Sequence, residues 1–441
     1  MPIDSELASI LPRTADVAQG RLTLGGCDSV DLAREFGTPL YVFDETELRA
    51  GCREVVDAFR SRHADSGVIY AAKAYLGRAL AALIAEEGLG LDVASGGELA
   101  IARSAGFPME RVYFHGNNKS ARELAEALEV GVGCVVIDNL HEAALLSDLV
   151  VAAGKRQAAL LRLSPNVDPH THRYISTGAL DSKFGVPIAT GQAEEAVGAL
   201  LASPGIDLVG LHVHIGSQIF EMEPFQEACG VLVAFAARMR EHHGFQSRQL
   251  SCGGGFAVQY VRGNPAPSRA AYAEAIVSTF KEACAANGLP LPHIIVEPGR
   301  SVVARAGVAL YTIGARKEIP DVRSYAAVDG GMADNIRPAL YGAAYEALPA
   351  NRMDDAGPKR RVTIAGKFCE SGDVLVRDAV LPELRVGDLL AIPTAGAYAL
   401  PLASNYNASL RPAIVFVKDG RARLVRRRET YDDLLRCETG E

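Results

Sequence analysis

A lysine in an otherwise uncharged run is the first residue whose type suggests covalent chemistry. Lys73 stands in Tyr70-Ala71-Ala72-Lys73-Ala74, where small apolar residues flank it. A lysine beside a low-dielectric wall loses part of its preference for the charged form, so its amine is a candidate nucleophile toward carbonyls. The alternative is a lysine whose methylenes cover apolar surface while its ammonium reaches water.

Two glycine-containing segments could bind an anion. Gly253-Gly254-Gly255 leaves backbone N–H groups available to surround a phosphate, although three glycines equally suit a tight turn. The second segment is Glu297-Pro298-Gly299-Arg300, whose guanidinium suits phosphate oxygens. Glu297 ends an apolar run, and a buried carboxylate needs a partner, either Arg300 or a protonated ring nitrogen of a ligand.

Two histidines share one face of a predicted strand. His212 and His214 stand two residues apart, the repeat of an extended chain. They could bind a metal ion, but no acidic cluster or third histidine is near them in sequence, and we expect no metal site. His214 could instead form a hydrogen bond with the backbone or stack on a planar cofactor.

The C-terminal part of the chain holds further candidates. Cys369-Glu370 lies in a glycine-containing turn, where the thiol could act in catalysis or simply pack. Arg337 and Tyr341 are four residues apart, and the arginine could bind a carboxylate or lie on the surface. Tyr398 lies in a loop of small residues, from which its hydroxyl could reach a ligand.

Eight short apolar runs, separated by segments of helical periodicity, must position these residues. Such runs are typical of strands buried on both faces of a parallel sheet, and eight strand–helix units predict an α/β fold, a (β/α)8 barrel. The runs are 67–71, 90–93, 111–114, 134–137, 159–163, 208–213, 248–252 and 293–296. Lys73, Asp92, His214, the three glycines and Glu297 fall at the C-terminal ends of these runs, where barrels carry their active sites.

Beyond about residue 305 the sequence predicts a different architecture. Strand-like runs at 308–313, 325–328, 362–365, 389–392 and 414–417 alternate with loops rich in glycine and proline. Asp419-Gly420 predicts a hairpin that joins 414–417 to 422–425. We therefore expect a barrel over 37–305 and a C-terminal, mostly antiparallel β domain over 306–441, which residues 1–36 join.

Composition narrows the functional class. Lys plus Arg is 45 and Asp plus Glu is 53 in 441 residues, and the formal net charge of −8 argues against a general nucleic-acid-binding protein. No apolar run approaches the roughly 18 residues of a membrane span, and the N-terminus lacks the pattern of a secretory signal. The 8 cysteines are scattered, so we expect free thiols and a cytoplasmic protein.

Together these segments resemble the diaminopimelate decarboxylase family, which belongs to the barrel-type (fold type III) decarboxylases that use pyridoxal 5'-phosphate and include ornithine decarboxylase. The matching segments, in order, are 70–74, 92–99, 114–119, 174–178, 183–185, 212–218, 253–255, 297–300, 335–342, 369–373, 404–407 and 428–431. The sequence departs from the residues usual in the family at 256–258, 343–346 and 399–402.

The resemblance implies how the residues would bind the cofactor. Lys73 would hold the cofactor aldehyde as a Schiff base, His214 would stack on the pyridine ring, and Glu297 would face the ring nitrogen. The phosphate would be held by Ser217, Gly255, Gly299 and Arg300, with Asp92, Gly253, Gly254 and Pro298 also at the cofactor.

The resemblance also implies the substrate contacts, which would come from Arg300, Arg337, Tyr341, Glu370 and Tyr398. Arg337 would bind the carboxylate that the substrate retains, Glu370 would recognise its distal amine, and Tyr398 would touch both cofactor and substrate. Cys369 would donate a proton after carbon dioxide leaves. In this family the Cys-Glu segment reaches the active site of the neighbouring subunit, so a homodimer is implied.

The implied activity is decarboxylation of meso-2,6-diaminopimelate to L-lysine in lysine biosynthesis. Glu297 favours decarboxylation over racemisation, because the similar barrel-type alanine racemases place an arginine against the ring nitrogen. Glu370 points to the diaminopimelate branch, because the ornithine branch has Cys-Asp at this place. The alternatives are a related decarboxylase of another, possibly carrier-bound, amino acid and a non-catalytic homologue that binds the cofactor.

Overall fold

The computed structural model describes residues 3–168 and 182–440. The chain folds as two units, each assembled from segments that are separated in sequence. The barrel unit consists of Cys52–Ala257 and Ala266–Gly299. The β unit consists of Met1–Gly51, Val258–Pro265 and Arg300–Glu441.

The barrel unit is built on eight parallel strands that close on themselves, as the sequence predicts. In chain order they are Ser66–Ala71, Gly90–Val93, Val112–Phe114, Cys134–Ile137, Gln157–Ser164, Ile206–Val213, Gln249–Ser251 and His293–Val296. The first strand pairs with the second and the eighth, so the ladder has no open edge. A short ninth strand, Val186–Pro187, adds to the fifth.

Apolar side chains fill the inside of the barrel because its strands are buried on both faces. A cluster formed by Ile69, Cys134, Val136, Leu160, Val209 and Ile295 occupies the interior. Helices alternate with the strands, and they are Arg78–Glu86, Gly96–Ser104, Ala121–Val130, Leu140–Ala152, Gln192–Ala202, Glu223–His243 and Arg269–Ala286. Glu45–Arg60 is the helix that precedes the first strand. Because the eight strands are parallel, the polar residues that follow them lie at one end of the barrel, the end where the strands finish.

The β unit contains a mixed, mostly antiparallel sheet. Its strands are Leu40–Asp44, Gly307–Ile319, Arg323–Val328, Leu348–Pro349, Lys359–Ala365, Val374–Pro382, Leu389–Ile392, Ala413–Lys418 and Arg421–Arg426. The last two form the hairpin that Asp419-Gly420 predicts. Leu40–Asp44 follows residue 37, where we placed the start of the barrel, but it pairs with Gly307–Ile319 and Ala413–Lys418 of this sheet.

A small three-stranded sheet and several short helices complete the β unit. The sheet strands are Asp16–Ala18, Arg21–Leu24 and Cys27–Asp28. The helices are Ser5–Ala8, Ser29–Phe36, Arg300–Val303, Arg337–Tyr341 and Tyr431–Leu435. Within the two described stretches of chain, no helix has both the length and the apolar character that crossing a membrane requires.

Candidate active site

Lys73 and Asp92 meet at the C-terminal end of the barrel strands. Lys73 lies in the single turn Ala72–Ala74 that follows the first strand, and Asp92 belongs to the second strand. The Lys73 Nζ is 3.5 Å from the Asp92 Oδ2, and the two side chains are 43% and 2% exposed. A buried carboxylate thus holds an amine that a small molecule can still reach.

The His214 ring is held by the glycine loop. The Gly254 N–H donates to His214 Nδ1 at 3.2 Å. His214 therefore forms the hydrogen bond with the backbone that was one of the possibilities for its side chain. Burial, followed by the positive charges of Lys73 and Arg162, lowers the pKa of His214 well below its ordinary value. The imidazole is therefore neutral at physiological pH and has a fixed orientation.

The three glycines are required by close packing of the backbone. A Cβ at Gly253 would lie 2.6 Å from His214 Nδ1, and one at Gly254 would lie 2.0 Å from the Glu297 carbonyl oxygen. A Cβ at Gly255, where φ is +109°, would lie 2.4 Å from the Gly216 carbonyl oxygen. The tight-turn and cradle hypotheses are compatible, because this packing leaves a loop that presents backbone rather than side chains.

Glu297 is buried among hydrogen-bond donors of the barrel. His212 Nε2 is 3.0 Å from its Oε2, Ser251 Oγ donates to its Oε1 at 2.9 Å, and His115 Nε2 is 3.6 Å from Oε1. Burial alone would raise the pKa of Glu297, but the His212 and His115 imidazoles hold it well below its ordinary value. The site therefore contains a buried carboxylate that stays ionised.

Sequence reasoning weighed His212 only as a metal ligand and assigned no role to Ser251 or His115. One ligand atom from each of His115, His212 and Glu297 lies within 4.8 Å of the others, a spacing at which the three could hold a metal ion. The hydrogen bonds to Glu297 satisfy the carboxylate without an ion. No acidic residue close to His212 in sequence serves as its partner. That partner is Glu297, which lies 85 positions further along the chain.

In the β unit, Arg300 and Arg337 are buried among tyrosines. Arg300 opens the helix Arg300–Val303, its Nη1 donates to the Tyr260 hydroxyl at 2.7 Å, and its guanidinium lies 4.6 Å from the centre of the Tyr398 ring. Arg337 opens the helix Arg337–Tyr341, donates to the Tyr345 hydroxyl and stacks 4.5 Å from the centre of the Tyr260 ring. Only 7% of Arg300 and 6% of Arg337 is exposed, which excludes the surface alternative for Arg337.

The charge of Arg337 has tyrosines rather than carboxylates around it. Burial alone would lower the pKa of Arg337, but the Tyr260 and Tyr345 hydroxyls raise it above its ordinary value. Among the residues that the structure describes, the contacts of this guanidinium are all with tyrosines. Because a buried cation without an anionic partner is costly, the arrangement suits an anionic ligand.

Tyr260 and Tyr345 are site candidates that sequence reasoning missed. Tyr345 lies in the segment 343–346, where the sequence departs from the family, and Tyr260 lies in a loop without a motif. Of the predicted tyrosines, Tyr341 ends its helix half-buried, and Tyr398 has a φ of +60°. That value is uncommon for a residue other than glycine, and such strained residues cluster at functional sites.

The Cys369-Glu370 turn is anchored by Asp373 and by an asparagine. Asp373 accepts from the Phe368 N–H at 2.9 Å and from the Met332 N–H at 2.6 Å. The Asn407 Oδ1 accepts from the Cys369 N–H at 3.1 Å. Both Cys369 and Glu370 are exposed, so Cys369 does not serve core packing and its thiol is available for chemistry.

Local packing accounts for two of the departures from the family pattern. Phe256 is buried, and its ring stacks on Tyr272 with centroids 4.6 Å apart. The Glu346 carboxylate accepts from Arg262 Nε at 2.7 Å. The segment 174–178, which matches the family, lies outside the described residues. Ser217, a predicted phosphate contact, follows the sixth strand and is half-buried.

Comparison with known proteins identifies the family. A family model described as "Pyridoxal-dependent decarboxylase, pyridoxal binding domain" matches residues 47–304. The chain is 49% identical to the diaminopimelate decarboxylase of Bacillus subtilis over 419 residues, 95% of each chain. It superposes on the diaminopimelate decarboxylase of M. jannaschii with a TM-score of 0.92, at 35% identity and 98% coverage of each chain.

A further solved structure is similar and contains a ligand. It is the diaminopimelate decarboxylase of Helicobacter pylori complexed with L-lysine, with a TM-score of 0.84 at 31% identity, covering 92% of this chain and 98% of that one. These relatives match the barrel unit and the β unit together. The chain therefore belongs to the diaminopimelate decarboxylase family of pyridoxal-dependent decarboxylases.

Proposed function

We propose that this chain uses pyridoxal 5'-phosphate to decarboxylate meso-2,6-diaminopimelate to L-lysine. The observation that carries the proposal is the buried, ionised Glu297 at the same end of the barrel as the accessible amine of Lys73. A carboxylate there favours a protonated ring nitrogen, which decarboxylation needs. High identity to diaminopimelate decarboxylases over 95% of the chain supports the choice of substrate.

The residues of the barrel end fit the cofactor chemically. Lys73 supplies an amine for its aldehyde, and Asp92 keeps that amine in place from 3.5 Å. The side-chain-free loop Gly253-Gly254-Gly255 would hold the phosphate together with Ser217, Gly299 and Arg300, with Pro298 beside it. His214 is neutral and fixed by Gly254, as a ring that stacks on a pyridine must be.

The chemistry divides between the cofactor and the chain. When bound, pyridoxal phosphate supplies an acceptor for the electron pair that remains when carbon dioxide leaves. Glu297 keeps a proton on the ring nitrogen by offering it an ionised acceptor. Cys369 donates a proton to the carbon that lost the carboxylate, which completes the amino acid.

Substrate recognition requires both signs of charge, because the far end of diaminopimelate keeps an amine and a carboxylate. We assign the carboxylate to Arg337, whose buried guanidinium has tyrosine contacts, with Arg300, Tyr341 and Tyr398 as further contacts. We assign the amine to Glu370, an exposed carboxylate in the turn anchored by Asp373. An exposed Cys369-Glu370 turn suits a homodimer in which each subunit completes its neighbour's site.

The proposed location is the cytoplasm. Of the cysteines in the described stretches, Cys369 and Cys437 are exposed and the others are buried, and all of them are free. Free thiols are the usual state in a reducing compartment. Detection of the enzyme in a cytosolic fraction would test this assignment directly.

A substrate panel tests the activity. The purified enzyme, loaded with pyridoxal phosphate, is given meso-diaminopimelate, ornithine, arginine, lysine or a carrier-linked glutamyl group, and carbon dioxide release is measured. We expect release from meso-diaminopimelate with L-lysine as the other product, and none from a Lys73→Ala variant. Faster turnover of another substrate would overturn the assignment.

A further inference from the structure

The Glu297 carboxylate is held from both sides by side chains of the barrel. His212 Nε2 is 3.0 Å from Oε2, and Ser251 Oγ donates to Oε1 at 2.9 Å. His115 approaches Oε1 at 3.6 Å, and its ring packs edge-on against His212 with centroids 5.1 Å apart. His212 is thus the residue that faces Oε2.

The register of three neighbouring strands produces this arrangement. His212 pairs with Ser251 across the sixth and seventh strands, and Ser251 pairs with Ile295 across the seventh and eighth. Glu297 follows Ile295 by two positions, and residues two apart in an extended chain point to the same side. The barrel itself therefore places His212 and Ser251 beside the carboxylate.

The direction of the hydrogen bond follows from the chemistry of the pair. An ionised carboxylate only accepts, so His212 donates from Nε2. The His212 Nδ1 is buried and has no hydrogen-bond partner among the described residues. The Nε2–Glu297 contact is therefore the one side-chain hydrogen bond that His212 makes among the described residues.

We propose that His212 is a positioning residue, which fixes the Glu297 carboxylate so that it faces and binds the protonated ring nitrogen of pyridoxal phosphate. The proposal rests on the proposed function, in which Glu297 contacts that nitrogen. Replacing a residue that orients a metal ligand by hydrogen bonding commonly lowers metal affinity or activity by about 10- to 100-fold, and we expect an effect of this order on cofactor binding here. Without His212, the carboxylate can turn toward Ser251 and His115.

The test compares pyridoxal phosphate with 1-deazapyridoxal 5'-phosphate, in which a C–H group replaces the ring nitrogen. Dissociation constants are measured by absorbance titration of the full-length apoenzyme with each compound. Because only pyridoxal phosphate can bind Glu297 through its ring nitrogen, the ratio of the two constants reports that contact alone. We expect the unaltered protein to prefer pyridoxal phosphate by at least about tenfold.

Three variants locate the effect. His212→Leu removes the donor, and we expect the preference to fall about tenfold, whereas His212→Gln keeps an N–H donor and should retain most of it. Tyr113→Phe is the matched control, because it removes a hydroxyl inside the barrel that bonds to Gln249 Oε1 at 3.4 Å. It should leave the ratio unchanged. If His212→Leu does not fold, His212→Val, which suits a strand, takes its place.

The outcomes separate this proposal from the proposed function. If the unaltered protein prefers pyridoxal phosphate and His212→Leu keeps the whole of that preference, the positioning role of His212 is overturned. Glu297 then keeps its assigned place. Weaker binding of both compounds by the same factor would show a merely structural role for His212 and would also overturn the proposal. The absence of any preference in the unaltered protein would refute the assignment of Glu297 itself.

Discussion

Replacing Arg337 by methionine separates recognition of the substrate carboxylate from the rest of binding. Methionine has a similar length and no charge, so it removes the guanidinium and leaves the space between Tyr260 and Tyr345 largely filled. Arg337 is 6% exposed and stacks 4.5 Å from the centre of the Tyr260 ring. Because the substitution removes a buried charge together with its contacts, we expect little change in the free energy of unfolding.

The expected size of the effect follows from the contact that is lost. A hydrogen bond to a charged group contributes about 1.5–3 kcal/mol, and every 1.4 kcal/mol, roughly, is a factor of ten in affinity. Losing the contact with one carboxylate should therefore weaken binding by about 10- to 100-fold. Arg337→Lys keeps the charge but not the planar pair of donors, so its effect should be smaller, about tenfold.

Two competitive inhibitors provide the assay. L-Lysine has the carboxylate that the substrate retains, whereas cadaverine has the two amines and no carboxylate. Inhibition constants are measured against meso-diaminopimelate for the unaltered enzyme and for both variants. Arg337→Met should weaken inhibition by L-lysine about 10- to 100-fold and leave cadaverine unchanged. Equal weakening for both inhibitors, or for neither, would refute the assignment of Arg337 to the carboxylate.

Further substitutions test other parts of the account. Cys369→Ala should bind pyridoxal phosphate normally but lose turnover, and full activity would reject Cys369 as the proton donor. Burial raises the pKa of Asp334 to about 6, so its stabilising effect is greatest below about pH 4 and is lost as the pH rises through 6. Urea unfolding of the unaltered protein should therefore show a loss of about 2 kcal/mol in the free energy of unfolding between pH 4 and pH 7 that Asp334→Asn lacks. The same dependence of unfolding free energy on pH in both proteins would contradict this. Phe256→Ala should cost about 3–5 kcal/mol, against no measurable loss for the 73% exposed control Val322→Ala, and equal urea midpoints for the two would contradict the packing of Phe256.

The barrel was predictable because its strands are buried on both faces and read as continuous apolar runs. The β unit was harder to predict. Val374–Pro382 is a strand whose centre, Arg377 and Asp378, is exposed, so the charged pair interrupts the apolar pattern. Leu40–Asp44 is fully buried, but a short apolar run does not reveal which sheet it joins.

At the site, too, features that depend on neighbouring residues in sequence were predictable, whereas contacts between distant residues were not. The positions of Lys73, Asp92, His214 and Glu297 at one end of the barrel were predictable, because each residue follows or ends a barrel strand and parallel strands bring their ends together. The partners of these residues were not predictable, since His212 and Glu297 are 85 positions apart. Tyr260 contacts Arg300, 40 positions along the chain, and Tyr345 contacts Arg337, 8 positions before it, but no local motif marks either tyrosine.

The most direct measurement reduces the cofactor-loaded enzyme with borohydride and maps the labelled peptide by mass spectrometry. The account predicts one pyridoxyl group per chain, attached to Nζ of Lys73 within the peptide that contains Tyr70-Ala71-Ala72. Attachment to any other lysine, or no label on an enzyme that still releases carbon dioxide from meso-diaminopimelate, would contradict it.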